Sequence, residues 1–178
     1  VSDVRQALDM LAADINRAGG IAGREVILIV EDDGGTPEGA ASAAQRLVKA
    51  GVTAVVGSLT SGCTGAMQPI LNDARIVQIT YAATAVSLSE QGMKYFFRTC
   101  PRDDEQGKAA TRVMEKMKLS RIALVHDGTP YATGLAAEIM KRTLAKGMTV
   151  VFHDGLTPGQ ADYSEVLKRI RQAEPDIV

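Results

Sequence analysis

The sequence predicts an α/β protein in which parallel strands alternate with helices that cover both faces of the sheet. Three observations predict it. Short runs rich in β-branched residues recur at Val52 to Val56, Val77 to Thr80, Ile122 to Val125 and Met148 to Phe152, as burial on both faces requires. Between them, apolar residues fall at three- and four-residue spacing, the mark of amphipathic helices. The chain has 178 residues and is 46% hydrophobic, enough for a real core in one domain or one and a half.

The elements can be justified in order. Val4, Leu8, Leu11 and Ile15 form one apolar stripe, with Ser2 as N-cap and Gly19-Gly20 as the stop. Arg24 to Val30 alternates and then becomes continuously apolar, which predicts a strand ending at Glu31-Asp32-Asp33. Thr36-Pro37 is a cap followed by proline at the first helical position, and Ala40, Ala44, Leu47 and Val48 turn inward. A short buried strand is expected over Val52 to Val56, then a helix carrying Met67, Ile70 and Leu71. A strand at Val77 to Thr80 leads into Tyr81-Ala82-Ala83-Thr84.

The second part repeats this rhythm. Tyr95 to Thr99 reads as extended, and Asp104 to Met117 as a helix with Ala110, Val113, Met114 and Met117 on one side. The strand Ile122 to Val125 precedes His126-Asp127-Gly128-Thr129-Pro130-Tyr131. Leu135, Ile139 and Thr143 mark the next inward face, which Gly147 ends. Met148 to Phe152 is a strand, and Tyr163 to Gln172 is a helix using Val166, Leu167 and Ile170. Pro175 precedes a last strand. The polar, proline-bearing Pro101-Arg102-Asp103-Asp104 is the best boundary between the two runs of units. Val1 begins almost directly in a helical pattern and Asp176-Ile177-Val178 reads as the start of a strand, so the sequence is read as truncated at both ends.

Composition narrows the function classes. Net charge is −1 with both signs mixed along the chain, which gives no reason to expect nucleic acid or an anionic membrane as partner. No apolar run approaches the ~20 residues of a membrane span, so no membrane insertion is expected. No charged start with an apolar segment is visible, and a signal peptide is expected to be absent or already removed. Cys63 and Cys100 lack metal-site spacing. One disulfide is open to them, but they read rather as two small buried thiols. The seven methionines read as core filler.

In an open parallel sheet, ligands sit beyond the carboxyl ends of the strands. The loop there from Gly57 to Thr64 holds Ser58, Thr60, Ser61, Cys63 and Thr64, and no charge. A helix start offers unpaired N–H groups and a partial positive charge, so it can hold an anion without Arg or Lys. Hydroxyls add donors and can also accept from an ammonium group. Together these suit a zwitterion. Spacing alone fits the simpler role better, with Ser61 and Thr64 capping their own helix. Enzyme signatures are thin: there is no Gly-x-Ser-x-Gly elbow, phosphate loop or Gly-x-Gly-x-x-Gly. His126 and Asp127 are sequence neighbours that would diverge rather than relay a proton to Ser61. His126 and His153 lack further metal ligands and read as strand-end residues bonded to backbone. Glu31-Asp32-Asp33 reads as a solvated or helix-capping loop rather than a cation site. No catalytic residue, metal or cofactor is expected.

Six stretches occur in order: "DINRAGGIAGREVILIVEDD", "LVKAGVTAVVGSLTSGCTGA", "ITYAATAVSLSEQG", "FFRTCPRDDEQGKAA", "IALVHDGTPYATGLA" and "GLTPGQADYSEVLKRIRQAEPDIV". This ordered set, covering essentially the whole chain, resembles the periplasmic type I solute-binding proteins of branched-chain amino acid ABC transporters, the leucine/isoleucine/valine-binding family. The resemblance implies doubly wound parallel sheets in the two-lobed periplasmic-binding-protein type I fold. Residues 1–100 would form lobe 1 without its first strand, and residues 101–178 the start of lobe 2. The missing strand would be central, and its absence would expose two strand edges.

The resemblance also implies a non-enzymatic function: capture of an amino acid, branched-chain aliphatic in side chain, between two lobes that close on it. An ABC permease would be the partner. The location would be periplasmic, or extracellular and lipid-anchored in a Gram-positive host. A ligand-sensing regulatory or receptor domain of the same fold is the alternative, and a Ser61 hydrolase a remote third. Ser61 aligns with the serine that binds the ligand α-carboxylate. Ala82 aligns with the position whose carbonyl takes the α-ammonium, and Thr84 with the threonine that touches both groups. Ala83 between them is counted with the ligand-binding loop. Tyr131 aligns with the lobe 2 tyrosine that closes over the ligand. This chain departs from the family in having Ala132 where Gly usually follows that tyrosine.

Overall fold

In a computed structural model, described over residues 2–178, the chain divides by its internal contacts into residues 1–32 and 33–178. The first unit holds helix α1 (Ser2–Arg17) and a turn closed by an isolated antiparallel bridge between Ile21 and Arg24. Asn16 fastens the segment that follows: its side-chain amide donates to Val26 O at 2.9 Å and its Oδ1 accepts from Val26 N at 2.7 Å. The inward face of α1 follows the predicted stripe except at one position. Ala12 is buried whereas Leu11 is 56% exposed, with Val4, Leu8 and Ile15 half-buried. The predicted Ser2 cap rests on a side chain outside the described residues. The strand expected over Arg24 to Val30 is absent. Among the described residues of its unit no strand pairs with that segment, so no ladder forms there. Ile27, Leu28, Ile29 and Val30 are exposed accordingly.

The second unit carries two parallel sheets. In the first, β1 (Ala54–Val56), β2 (Val77–Thr80) and β3 (Phe96–Arg98) stand in the order β1-β2-β3. Val55 lies opposite Gln78 and Ile79 opposite Phe97. Helix α2 (Pro37–Lys49) begins as Thr36-Pro37 predicts, with Gly39 N donating to Thr36 Oγ1 at 3.0 Å. Helix α3 (Ser61–Asp73) follows β1. Ala40, Ala44 and Leu47 from α2 meet Val55, Cys63, Met67, Leu71 and Ile76 in one apolar cluster. β1 is wet on one side, since Val56 is half exposed, so the sheet is not buried on both faces there.

In the second sheet β4 (Arg121–His126) pairs with β5 (Thr149–Gly155), with a register shift between Ile122 and Ala123. Ile177 bridges to Ile122 in parallel, at the position expected for the last strand. Asp176 secures it: its carboxylate accepts from the backbone N–H groups of Ser120 and Arg121 at 2.7 and 2.8 Å. Helix α4 (Asp103–Met117), α5 (Pro130–Ala145) and α6 (Ser164–Gln172) pack around this sheet, whose core is Met114, Ile122, Leu124 and Met148.

The inward side of α4 differs from its apolar pattern. Asp103, Gly107, Thr111 and Met114 are buried, while Val113 and Met117 are exposed. The reason is close helix packing: a Cβ on Gly107 would stand 3.2 Å from Cδ of Arg142 on α5, tighter than an ordinary contact, so a larger residue would push that side chain aside. Leu167, expected inward on α6, is exposed as well, and Ile170 is the buried residue there. Met10 and Met117 are exposed, so the methionines are not uniformly core.

Candidate ligand-binding site

The site grows from the way α3 begins. Thr60 is the N-cap, its hydroxyl accepting from Cys63 N at 3.2 Å. Ser61 and Thr64 therefore do not cap their own helix, as spacing had suggested. By helix geometry the N–H groups of Ser61 and Gly62 lack intrahelical acceptors. The first turn carries no acidic residue to offset the helix dipole.

Ser61 is buried, and its Oγ accepts from Ala85 N at 3.2 Å. That bond joins the start of α3 to the loop after β2. Thr80, the last residue of β2, is the hub of the same loop. Its Oγ1 accepts from Ala83 N at 3.1 Å and Ala82 N at 3.4 Å, and donates to Ser58 O at 2.9 Å. Thr64 Oγ1 donates to that carbonyl too, at 3.2 Å. Gln78 Nε2 reaches Gly57 O at 3.1 Å. The two loops after β1 and β2 are thus one knitted surface, with Ser61, Ala82, Ala83 and Thr84 in it.

Two charged groups hold this surface from behind. Arg98, on β3, donates to Ala83 O at 3.2 Å, Ala85 O at 3.0 Å and Ser89 Oγ at 3.1 Å, and its guanidinium lies 5.5 Å from the Phe96 ring. Burial lowers its pKa. Asp103, the first residue of α4, is fully buried, and its backbone N donates to Thr84 O at 3.0 Å. Cys100 also points at the loop, its thiol donating to Ala83 O at 3.4 Å. Both cysteines are free, Cys63 buried and Cys100 half-buried.

On the flank, Asp33 accepts from Gly35 N at 2.9 Å and from the Ser58 hydroxyl. Tyr81 stands close by, its phenol pKa raised by burial first and by the Asp33 charge second. Asp33 therefore both shapes the entry to α2 and braces the Gly57–Thr64 loop.

Tyr131 comes from the other sheet. It is the second residue of α5, 40% exposed. The preceding Pro130 touches the start of α3: a Cβ on Gly62 would lie 3.5 Å from Pro130 Cγ and 3.7 Å from Pro37 Cγ. The first turns of α2, α3 and α5 thus converge around Gly62. Ala132 needs no glycine, because it sits inside the first turn of α5 with its N–H on Thr129 Oγ1 at 3.2 Å. The His126 and His153 rings meet edge-on, centroids 5.2 Å apart, and His126 Nδ1 accepts from Gly128 N. Among the described residues no three His, Cys, Asp or Glu gather as metal ligands. A cleft of about 200 Å³ lies away from all of this, between β5 and α6, lined by Asp154, Thr157, Gln160, Tyr163 and Arg169.

Sequence reasoning missed Asp33, Arg98 and Asp103 as parts of the site. In the sequence Asp103 belongs to the Pro101-Arg102-Asp103-Asp104 boundary, and only its depth distinguishes it from Asp104 and Glu105. No spacing signal could have done so.

Comparison with known proteins agrees with this architecture. A family model described as "Periplasmic binding protein" matches residues 2–178. The chain belongs to that family. It is 37% identical over 177 residues to a Leu/Ile/Val-binding protein of Rhizobium johnstonii, covering 98% of this chain and 48% of that one. It is 38% identical over 167 residues to a Leu/Ile/Val/Thr-binding protein of Salmonella typhimurium, covering 93% and 46%. Among solved structures, a leucine-binding protein of Thermotoga maritima superposes with a TM-score of 0.82 at 25% identity, covering 92% and 47%. A branched-chain amino acid transporter substrate-binding protein of Streptococcus pneumoniae, solved with isoleucine, gives 0.79 at 29%, covering 93% and 48%. The chain spans about half the length of the curated relatives it matches.

Proposed function

We propose that this protein is the substrate-binding component of an ABC importer and holds an amino acid with a branched aliphatic side chain. It would work in the periplasm, or outside the cell on a lipid anchor, and deliver its cargo to a membrane permease. Residues 1–100 and 101–178 would belong to two lobes that close on the ligand. The reading is supported by relatives 37–38% identical that are named for binding leucine, isoleucine and valine. The observation that carries it is the single bond between Ser61 Oγ and Ala85 N. That bond occupies the serine oxygen as an acceptor and leaves its proton to donate outward. Beside the free N–H groups of the α3 start, this makes a neutral seat for a carboxylate. Neutral donors hold an anion without the desolvation cost of burying a second charge against it.

In this reading Ser61 takes the ligand carboxylate, the Ala82 carbonyl takes the ammonium, Thr84 touches both groups, and Ala83 is held still between them. Tyr131 approaches from the α5 side and shields these bonds from water, which strengthens them. The test is calorimetry on the intact protein with leucine, isoleucine and valine. One-to-one binding without turnover is the expected result. Absence of binding to any amino acid, with the protein folded, would overturn the proposal.

A further inference from the structure

The chain passes from the first sheet to the second over Thr99-Cys100-Pro101-Arg102, between the end of β3 and the start of α4. Backbone bonds fasten the ends of this crossing: Thr99 N donates to Thr80 O at 3.1 Å, and Asp103 N to Thr84 O at 3.0 Å. A further connection is made by side chains. Arg102 precedes α4 but gives the helix no side-chain cap. Its guanidinium faces two ways instead. Nε and Nη2 fork onto Asp104, each 3.2 Å from one carboxylate oxygen. Nη2 also donates to Glu90 Oε1 at 3.0 Å, and Nη1 to Ser89 Oγ at 3.2 Å. Ser89 ends the 3-10 turn Val86–Ser89, and Glu90 follows it. The Ser89 hydroxyl is saturated: it accepts from Arg98 Nη2 at 3.1 Å as well as from Arg102, and donates to Val86 O at 3.3 Å. Asp104 thus fixes the guanidinium from the α4 side, and Ser89 and Glu90 receive it on the other.

Resting on the proposed function, in which residues 1–100 and 101–178 belong to two closing lobes, we infer that Arg102 is an ionic strap across the crossing: its bonds to Glu90 and Ser89 form as the lobes close and bias the protein toward the ligand-holding state. Arg102 and Asp104 move together with α4, while Glu90 and Ser89 stay with the first lobe. Rotation about the crossing therefore changes the Arg102–Glu90 separation and leaves the Arg102–Asp104 fork intact. The strap is fastened in a structure where the starts of α3 and α5 meet at Gly62 and Pro130, which is the closed geometry of the proposed function. A contact made in one state and not the other shifts the balance between them by its own strength. This one is modest, because the Arg102 and Glu90 side chains are 33% and 59% exposed, and salt screens it. The proposed ligand is a zwitterion without net charge on a seat of neutral donors. Its own contacts give affinity little reason to vary with salt, so a salt dependence reports the strap. Arg102 is a positioning residue and never touches the ligand.

The test is leucine calorimetry on the intact protein between about 20 and about 500 mM sodium chloride, a range that takes the screening length from well beyond the strap to about its own size. In the wild type the leucine Kd rises about threefold across that range. Arg102→Gln and Glu90→Gln each begin about threefold weaker at low salt and lose the salt dependence, and combining them adds nothing. Arg102→Glu sets a like charge against Glu90 and Asp104. Its Kd is about tenfold higher at low salt and falls as salt is added, the reverse of the wild-type trend. Adding Glu90→Arg to Arg102→Glu restores an opposite pair and the wild-type trend. A merely structural role for Arg102 would not invert the sign of the salt response. A folded Arg102→Glu whose trend follows the wild type, or Arg102→Gln with wild-type affinity at both salts, overturns the inference and leaves the proposed function standing. So does failure of the swapped pair to restore the trend. Folded wild-type protein that binds no amino acid overturns both. Should Arg102→Glu fail to fold, the Arg102→Gln and Glu90→Gln salt series decides alone.

Discussion

The loops after β1 and β2 and the loop after β4 use similar residues under different constraints. Ser61 and Thr80 are buried, and each hydroxyl bonds backbone of the other's loop. Around Thr129 the hydroxyl bonds locally, to Asp127 at 2.7 Å and Ala132 N at 3.2 Å, in an exposed turn. The first surface is held by long-range bonds that fold with the sheet. The second is a self-contained turn that presents Tyr131. A seat must be rigid before the ligand arrives, while a closing element needs room to move. The difference matches those two roles.

The comparison can be broken in graded ways. The largest effect is expected from Thr80→Val. It removes a fully buried hydroxyl shared by Ala82 N, Ala83 N and Ser58 O, and should cost about 2–4 kcal/mol of stability by urea unfolding. A loss below that of an exposed cap would show the hub is not needed. Ser61→Ala follows, weakening amino-acid binding by about 1–3 kcal/mol in calorimetry. Unchanged affinity would remove Ser61 from the site.

On the α5 side the costs should be smaller. Thr129→Ala deletes the N-cap of α5 and should lower stability by about 1 kcal/mol. Tyr131→Ala should leave stability within about 0.5 kcal/mol, because its side chain is substantially exposed. Stopped-flow should nonetheless show faster ligand release; an unchanged off-rate would refute the closing role. Least in size is a pH effect. Burial raises the Asp103 carboxyl above the 3.8 of an unperturbed aspartate. The folded state then holds this proton more tightly than the unfolded chain. The Asp103 contribution to stability falls as pH rises from 3.8 through the native value, and is recovered on acidification. Subtracting Asp103→Asn urea midpoints from wild-type midpoints across that window should reveal the decline. A flat difference would mean the carboxyl is not burdened by burial.

Much of the fold was legible because its signals are local. Thr36-Pro37 started a helix where expected, and β2 occupies Val77 to Thr80 as read. The side of each helix that turns inward was less legible. Leu11, Val113, Met117 and Leu167 are apolar yet exposed, whereas Asp103 and Thr143 are fully buried. Spacing reports which residues share a face, and packing against Gly107 and Gly134 decides which face is covered. The cap of α3 illustrates the same limit. Thr60, Ser61 and Thr64 are all chemically fit to cap, and only backbone geometry selected Thr60. Arg24 to Val30 has strand composition, but a strand exists only with a neighbour to pair with.

By itself, the sequence determined the alternation of strands and helices, the family, and a neutral hydroxyl loop at a helix start. These follow from residue types and short spacings, which need no knowledge of distant partners. Tertiary structure alone decided that Ser61 meets Ala85, that Arg98 and Asp103 stand behind the 80–85 loop, and that Pro130 touches the start of α3. Those contacts join residues far apart in the chain, and their directions depend on how the sheets and helices settle against one another.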